Sequence, residues 1–72
     1  MFDTKKFGAF IVAKRKNKGM KQSELAEKLN LTRQAVSKHE TGKCFPDVLT
    51  IIRLADIFEI TIDELIKSGI PP

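Results

Sequence analysis

The chain has 72 residues, 42% of them hydrophobic and 31% charged, with a formal net charge of +4. A chain this short is expected to form one domain over residues 1–72 and to bury only about 60% of its unfolded surface, so compact helical packing is required. No apolar run approaches the roughly 20 residues that span a bilayer. Lys5, Lys6 and Lys14 interrupt the apolar residues near the N-terminus, so no secretory segment is read there, and a cytoplasmic location away from membranes is expected.

The first expected element is a helix from about Thr4 or Lys6 to Lys18, with Phe7, Phe10 and Ile11 on its apolar side and Gly19 ending it. Next, Leu25, Ala26 and Leu29 fall at i, i+1 and i+4, one apolar stripe, while Glu24, Glu27 and Lys28 point elsewhere. That pattern is a second short helix with a buried side. Asn30, Leu31 and Thr32 then interrupt the period: Asn tolerates the left-handed backbone that ends a helix, and Thr is a favoured N-cap. A third helix therefore starts near Thr32. At about 100° per residue, Ala35, Val36, His39 and Glu40 fall on one side of it, and Arg33, Gln34, Ser37 and Lys38 on the other. Two short amphipathic helices joined by a three-residue break, spanning about residues 22–40, have the layout of a helix-turn-helix.

Gly42 stops the third helix, and Phe45 with Pro46 begins a loop rather than continuing it. Asp47 caps a fourth helix. Its Val48, Ile51, Leu54, Ala55 and Phe58 recur at helical spacing and are expected to face a core shared with Met20, Leu25, Leu29 and Val36. Thr61 with Glu64 three positions on makes a capping box for a short fifth helix, with Ile62, Leu65 and Ile66 as its apolar face and Gly69 terminating it before Pro71. The fold class expected is all-α, a compact five-helix domain.

The outward face of the third helix carries the side chains that read base edges in a major groove. Arg and Lys donate to guanine O6 and N7, Gln can bond adenine N6 and N7 in both directions, and Ser is a flexible supplement. Charge is polarised in the same sense: residues 1–44 hold eleven Lys or Arg against four acidic residues, and residues 45–72 hold two against five. A basic half that coincides with the helix-turn-helix suits a phosphate-facing surface and leaves the opposite end free for protein contacts. Cys44 is the sole cysteine and His39 the sole histidine, so neither an internal disulfide nor a metal site is expected. Cys44 is read as an incidental loop thiol and His39 as a partly packed core residue.

These elements resemble the phage-repressor and Cro-like helix-turn-helix proteins, the Xre type, over nearly the whole chain. The resemblance is carried by the basic first helix ending KRKNKGM, the QSELAEKLNLTRQAVSKHETGK core, the PD opening the fourth helix, and the closing TIDELI. It implies a lambda-repressor-like DNA-binding domain. It further implies that Gln22 contacts a phosphate, that Arg33, Gln34 and Lys38 face the bases, and that Thr32 and Lys43 touch the DNA backbone. Arg15 and Glu40 match a structural ion pair tying the reading helix to the first helix. Three positions depart from the family pattern: Lys21 replaces a small hydroxyl cap, His39 stands where a large apolar residue is frequent, and Lys14 takes a position often apolar.

The function this implies is a sequence-specific regulator of transcription that binds double-stranded DNA, most simply a repressor on a pseudo-palindromic operator. Similar proteins dimerise through the helix 4 and helix 5 end, and Phe10, Ile52, Ile57, Ile62 and Ile66 are candidates either for that surface or for completing the core. The acidic, isoleucine-rich C-terminal third suggests an alternative, an antitoxin that binds a protein partner and regulates its own promoter. Catalysis is the weakest class. Ser37 and His39 lie two apart on a helix and point apart, no phosphate-cradling glycine loop occurs, and no catalytic residue, cofactor or metal is expected.

Overall fold

The computed structural model describes residues 1–71, and among them lie five helices and no strand: α1 (Thr4–Asn17), α2 (Gln22–Leu29), α3 (Arg33–Thr41), α4 (Val48–Phe58) and α5 (Ile62–Lys67). Helix α3 packs against α1 and α2, and α4 packs against α2 and α5. The all-α, five-helix expectation holds.

Four of the five helices start on a side chain suited to the task. Asp3 accepts from the amides of Lys5 and Lys6, Thr32 from Ala35, and Asp47 from Thr50. At α5 the Thr61–Glu64 capping box closes in both directions, Glu64 N to Thr61 Oγ1 at 3.0 Å and Thr61 N to Glu64 Oε1 at 3.2 Å. Lys21, before α2, has no acceptor to offer, and only half a box forms there: Glu24 Oε1 takes the Lys21 amide at 2.9 Å. Two helices end on non-glycine residues in the left-handed region, Asn30 and Glu59, both at φ 57°.

Phe7, Ile11, Leu25, Leu29, Val36, Leu54 and Leu65 are almost wholly buried and draw side chains from all five helices. Phe10, Met20, Ile57 and Ile66 pack half-buried against that cluster, whereas Ile52 and Ile62 stay exposed, which divides the residues suspected of forming a second patch. Lys14 is half-buried with its ammonium 5.4 Å from the Phe10 ring centroid, so its charge sits on an aromatic face.

One placement differs from expectation. Val48 is 76% exposed rather than in the core: it is the first residue of α4, where the neighbouring buried positions are Pro46 and Thr50. Helix α5 ends at Lys67, ahead of Gly69, but without the positive φ found at Gly19 and Gly42. Gly69 leaves room for an aromatic ring. A Cβ at Gly69 would meet Phe2 Cε2 at 2.6 Å, and the Gly69 carbonyl accepts from the Asp3 amide at 2.6 Å. The Phe2 ring in turn stands 5.7 Å from Phe7 and 5.2 Å from Phe45, with Phe7 and Phe45 4.9 Å apart. This aromatic trio joins the start of the chain, α1 and the loop after α3.

Candidate nucleic-acid interface

The placement of α3 begins with a glycine. At Gly8, in the middle of α1, a Cβ would overlap the carbonyl oxygen of Glu40 and lie 2.7 Å from the carbonyl oxygen of His39. The backbones of α1 and α3 therefore touch directly at that crossing. Immediately after α3, Gly42 approaches the backbone of Thr4 and Lys5 within 3.0 Å of where a Cβ would be, and Thr4 Oγ1 donates to the Gly42 carbonyl at 3.2 Å. The C-terminal end of α3 is thus anchored on the start of α1.

Its side-chain anchor is a buried ion pair. Arg15 Nε donates to Glu40 Oε2 at 2.6 Å and Nη2 to Oε1 at 3.2 Å, with the side chains 10% and 4% exposed. A third donor, Arg15 Nη1, bonds the Met20 carbonyl at 2.8 Å. The bidentate geometry and the extra acceptor meet the requirement that a buried charge be fully bonded, and among the described residues no buried side-chain polar atom lacks a partner.

Gln22, at the start of α2, is half-buried and reaches the same carboxylate, its Nε2 donating to Glu40 Oε1 at 2.9 Å. Its Oε1 accepts from Arg33 Nη1 at 3.3 Å. A chain of polar contacts therefore runs from Arg15 in α1 through Glu40 and Gln22 to the first residue of α3. The resemblance had pointed Gln22 only at a phosphate. Its inward partner is set by the crossing of α2 and α3, which spacing along one helix does not report.

The outward residues of α3 divide by exposure. Arg33, Gln34 and Lys38 are exposed, Ser37 is half-buried, and Val36 and Glu40 are buried, with Ala35 and His39 between. Thr32 is exposed and holds the N-cap with its hydroxyl. Lys43 is exposed beyond the end of α3, where its amide and that of Cys44 both donate to the Lys38 carbonyl, at 2.9 and 3.3 Å. Cys44 is a free, exposed thiol. Burial pushes the His39 pKa below the ordinary 6.5, with the Asp47 carboxylate pulling weakly the other way.

The sequence profile of the helix-turn-helix family matches residues 11–65. A curated relative, the ImmF control region 10 kDa protein of Bacillus phage phi105, is 38% identical over 65 residues, which cover 90% of this chain and 72% of the relative. Among solved structures, the restriction-modification controller protein C.AhdI from Aeromonas hydrophila superposes with a TM-score of 0.79 at 32% identity, covering 86% of this chain and 94% of that one. The master regulator for biofilm formation SinR, solved in complex with DNA, gives a TM-score of 0.73 at 27% identity over 82% of this chain and 95% of its own. With the two-helix motif, its anchoring to α1 and these matches in agreement, the chain belongs to the helix-turn-helix family of phage-repressor and Cro-like (Xre-type) transcriptional regulators.

Proposed function

We propose that this chain binds double-stranded DNA in a sequence-specific way and regulates transcription as a homodimer, acting as a repressor that occludes a promoter. The observation that carries the reading is that Arg33, Gln34 and Lys38 stand exposed on a helix fastened to α1 near its far end. Arg33, Gln34 and Lys38, with Ser37 beside them, would face base edges, while Thr32, Lys43 and Gln22 would meet the backbone phosphates. Arg15 and Glu40 would hold the reading helix at its angle. That relatives include a phage control-region protein and a restriction-modification controller protein agrees with a regulator.

Dimerisation is supported by size and by surface. The longest extent of the molecule is 31 Å, and two recognition helices reading one face of a duplex must lie about 34–36 Å apart, so a second copy is needed to read a second half-site. Leu49, Ile52 and Ile62 leave apolar surface exposed on α4 and α5, where a two-fold partner would cover it.

The test is selection of bound duplexes from a random pool at two salt concentrations. A pseudo-palindromic consensus is expected. On that consensus, Arg33→Ala should cost about 1–3 kcal/mol at one base position, while Lys43→Ala should weaken all duplexes alike and lower the salt slope by about 0.9. Equal losses on cognate and scrambled duplexes for Arg33→Ala would reject its role in readout.

A further inference from the structure

Part of the positive charge on α1 lies where the reading helix cannot use it. Gly8 and Arg15 turn one side of α1 toward α3. At about 100° per residue, Lys6, Phe10 and Lys14 sit about 120–160° round from Gly8, on the side away from α3. Helix α5 approaches that side. Its end is tied to the start of α1 by the Asp3 amide and the Gly69 carbonyl at 2.6 Å. The main packing, however, joins α1 to α3 and α5 to α4, and a groove of about 700 Å³ is left between α1 and α5, wide open to solvent.

The groove is lined by the half-buried Phe10, the small residues Ala9 and Ser68, and three lysines, Lys6, Lys14 and Lys67. Glu64, also in the lining, has its Oε1 taken by Thr61 in the capping box, and Lys67 is shared with Asp63 at 3.1 Å. Among the described residues neither Lys6 nor Lys14 has an ion-pair partner. Lys14 holds its ammonium 5.4 Å from the Phe10 ring centroid, which keeps that charge over the apolar surface and lowers the freedom a partner carboxylate would have to remove.

We propose that this groove docks an acidic amphipathic helix of another protein, which lays an apolar residue on Phe10 and Ala9 and sets carboxylates against Lys6 and Lys14. Each lysine is four residues from Phe10, about 6 Å along the axis, so acidic residues one turn to either side of an apolar anchor match the spacing. Charge selects this occupant. A second copy meeting the groove across a two-fold axis would bring lysines against lysines. A small molecule would stay largely in water in a groove this open, whereas binding sites of that kind bury most of their ligand. The docking site does not rest on the proposed DNA contacts. It also leaves the exposed apolar surface of α4 and α5 free, because Ile62 and Ile66 fall on the other side of Leu65 from Lys67 and Ser68.

The test titrates the full chain with a synthetic amphipathic helical peptide whose central leucine is flanked by a glutamate one turn to either side, followed by amide NMR. We expect shifts confined to α1 and α5 around Ala9, Phe10 and Ser68, with none at Arg33, Gln34 or Lys38. Lys6→Glu combined with Lys14→Glu should weaken binding by roughly tenfold, as should Ala9→Glu, which fills the groove from an exposed position. Thermal unfolding of each variant shows that it is folded, and Ala9→Glu decides the matter if the double variant is not. A scrambled peptide of the same composition should also bind roughly tenfold more weakly. Shifts centred on α3 would mean that the peptide imitates a duplex, and equal binding of the scrambled peptide that net charge alone attracts it. Either result overturns the proposal, as does unchanged affinity in the folded variants or a Kd above about 1 mM.

Discussion

Gly8→Ala is the substitution in which helix propensity and packing make opposite forecasts. In an open helix interior the change from glycine favours folding by roughly 0.5–1 kcal/mol, because alanine loses less conformational freedom. Here the new methyl would sit 2.7 Å from the His39 carbonyl oxygen and closer still to that of Glu40, and both are backbone atoms that cannot rotate away. Restoring ordinary contact requires α1 and α3 to part by about 0.7 Å or more, and interiors packed at this density resist such movement. Overpacking of this sort costs about 1–3 kcal/mol and sometimes more, and immobile neighbours put it at the upper end. A net loss of about 2 kcal/mol is expected, which for a domain of this size lowers the melting temperature by roughly 10 °C. Urea unfolding followed by circular dichroism measures it. Gly19→Ala serves as the comparison, since nothing lies within 4 Å of its Cβ and only the φ of +69° is strained, at about 1 kcal/mol. A Gly8→Ala midpoint equal to or above that of the unaltered chain would refute the claim that the two backbones touch.

The buried pair should respond to single and double substitution differently. Arg15→Met alone is expected to cost about 3 kcal/mol or more by stranding Glu40, while Arg15→Met with Glu40→Leu recovers much of that loss; strictly additive unfolding energies would show that the two side chains do not interact. Glu59→Gly should stabilise the chain by up to about 1 kcal/mol, because it relieves a φ of 57° and gives up only the exposed 3.5 Å pair with Lys18, and a lowered urea midpoint would contradict this. Stability should also fall on acidification in two windows. His39 has a folded pKa below 6.5, so the unfolded chain takes up its proton first and stability drops as pH falls below 6.5. Asp47 has a folded pKa below 3.8, held down by its hydrogen bonds with Thr50, so its contribution persists above 3.8 and is lost as pH falls through the lower folded value. Thermal melts from pH 8 to 3 measure both windows, and His39→Gln should flatten the upper one alone.

What the sequence made legible was local. The caps Thr32, Asp47 and Thr61 were readable because a hydroxyl or carboxylate ahead of an apolar-periodic run has one favourable use. Asp3 carries the same signal ahead of α1 and could have been found by it. The two faces of α3 followed from the helical period, which sorts residues around one axis. The same period misplaced Val48, because it reports a residue's angle on its helix and not where along the helix the core ends. Gly8 and Gly69 carry their meaning in what approaches them, the backbone of α3 and the ring of Phe2, and neither neighbour is adjacent in sequence. The inward hydrogen bond of Gln22 belongs to the same class, a contact fixed by how α2 crosses α3.

The bond between Asp3 and Gly69 brings together positions at opposite extremes of the chain, their backbones 2.6 Å apart from nitrogen to oxygen. A short flexible splice could therefore close the polypeptide into a ring at little cost in loop entropy. The ring could be reopened at Gly19, in the turn between α1 and α2, where the surroundings are empty and the residue is solvent-facing. Such a permuted molecule would display its new ends on the turn before Gln22, at the opposite end of α1 from the aromatic trio of Phe2, Phe7 and Phe45.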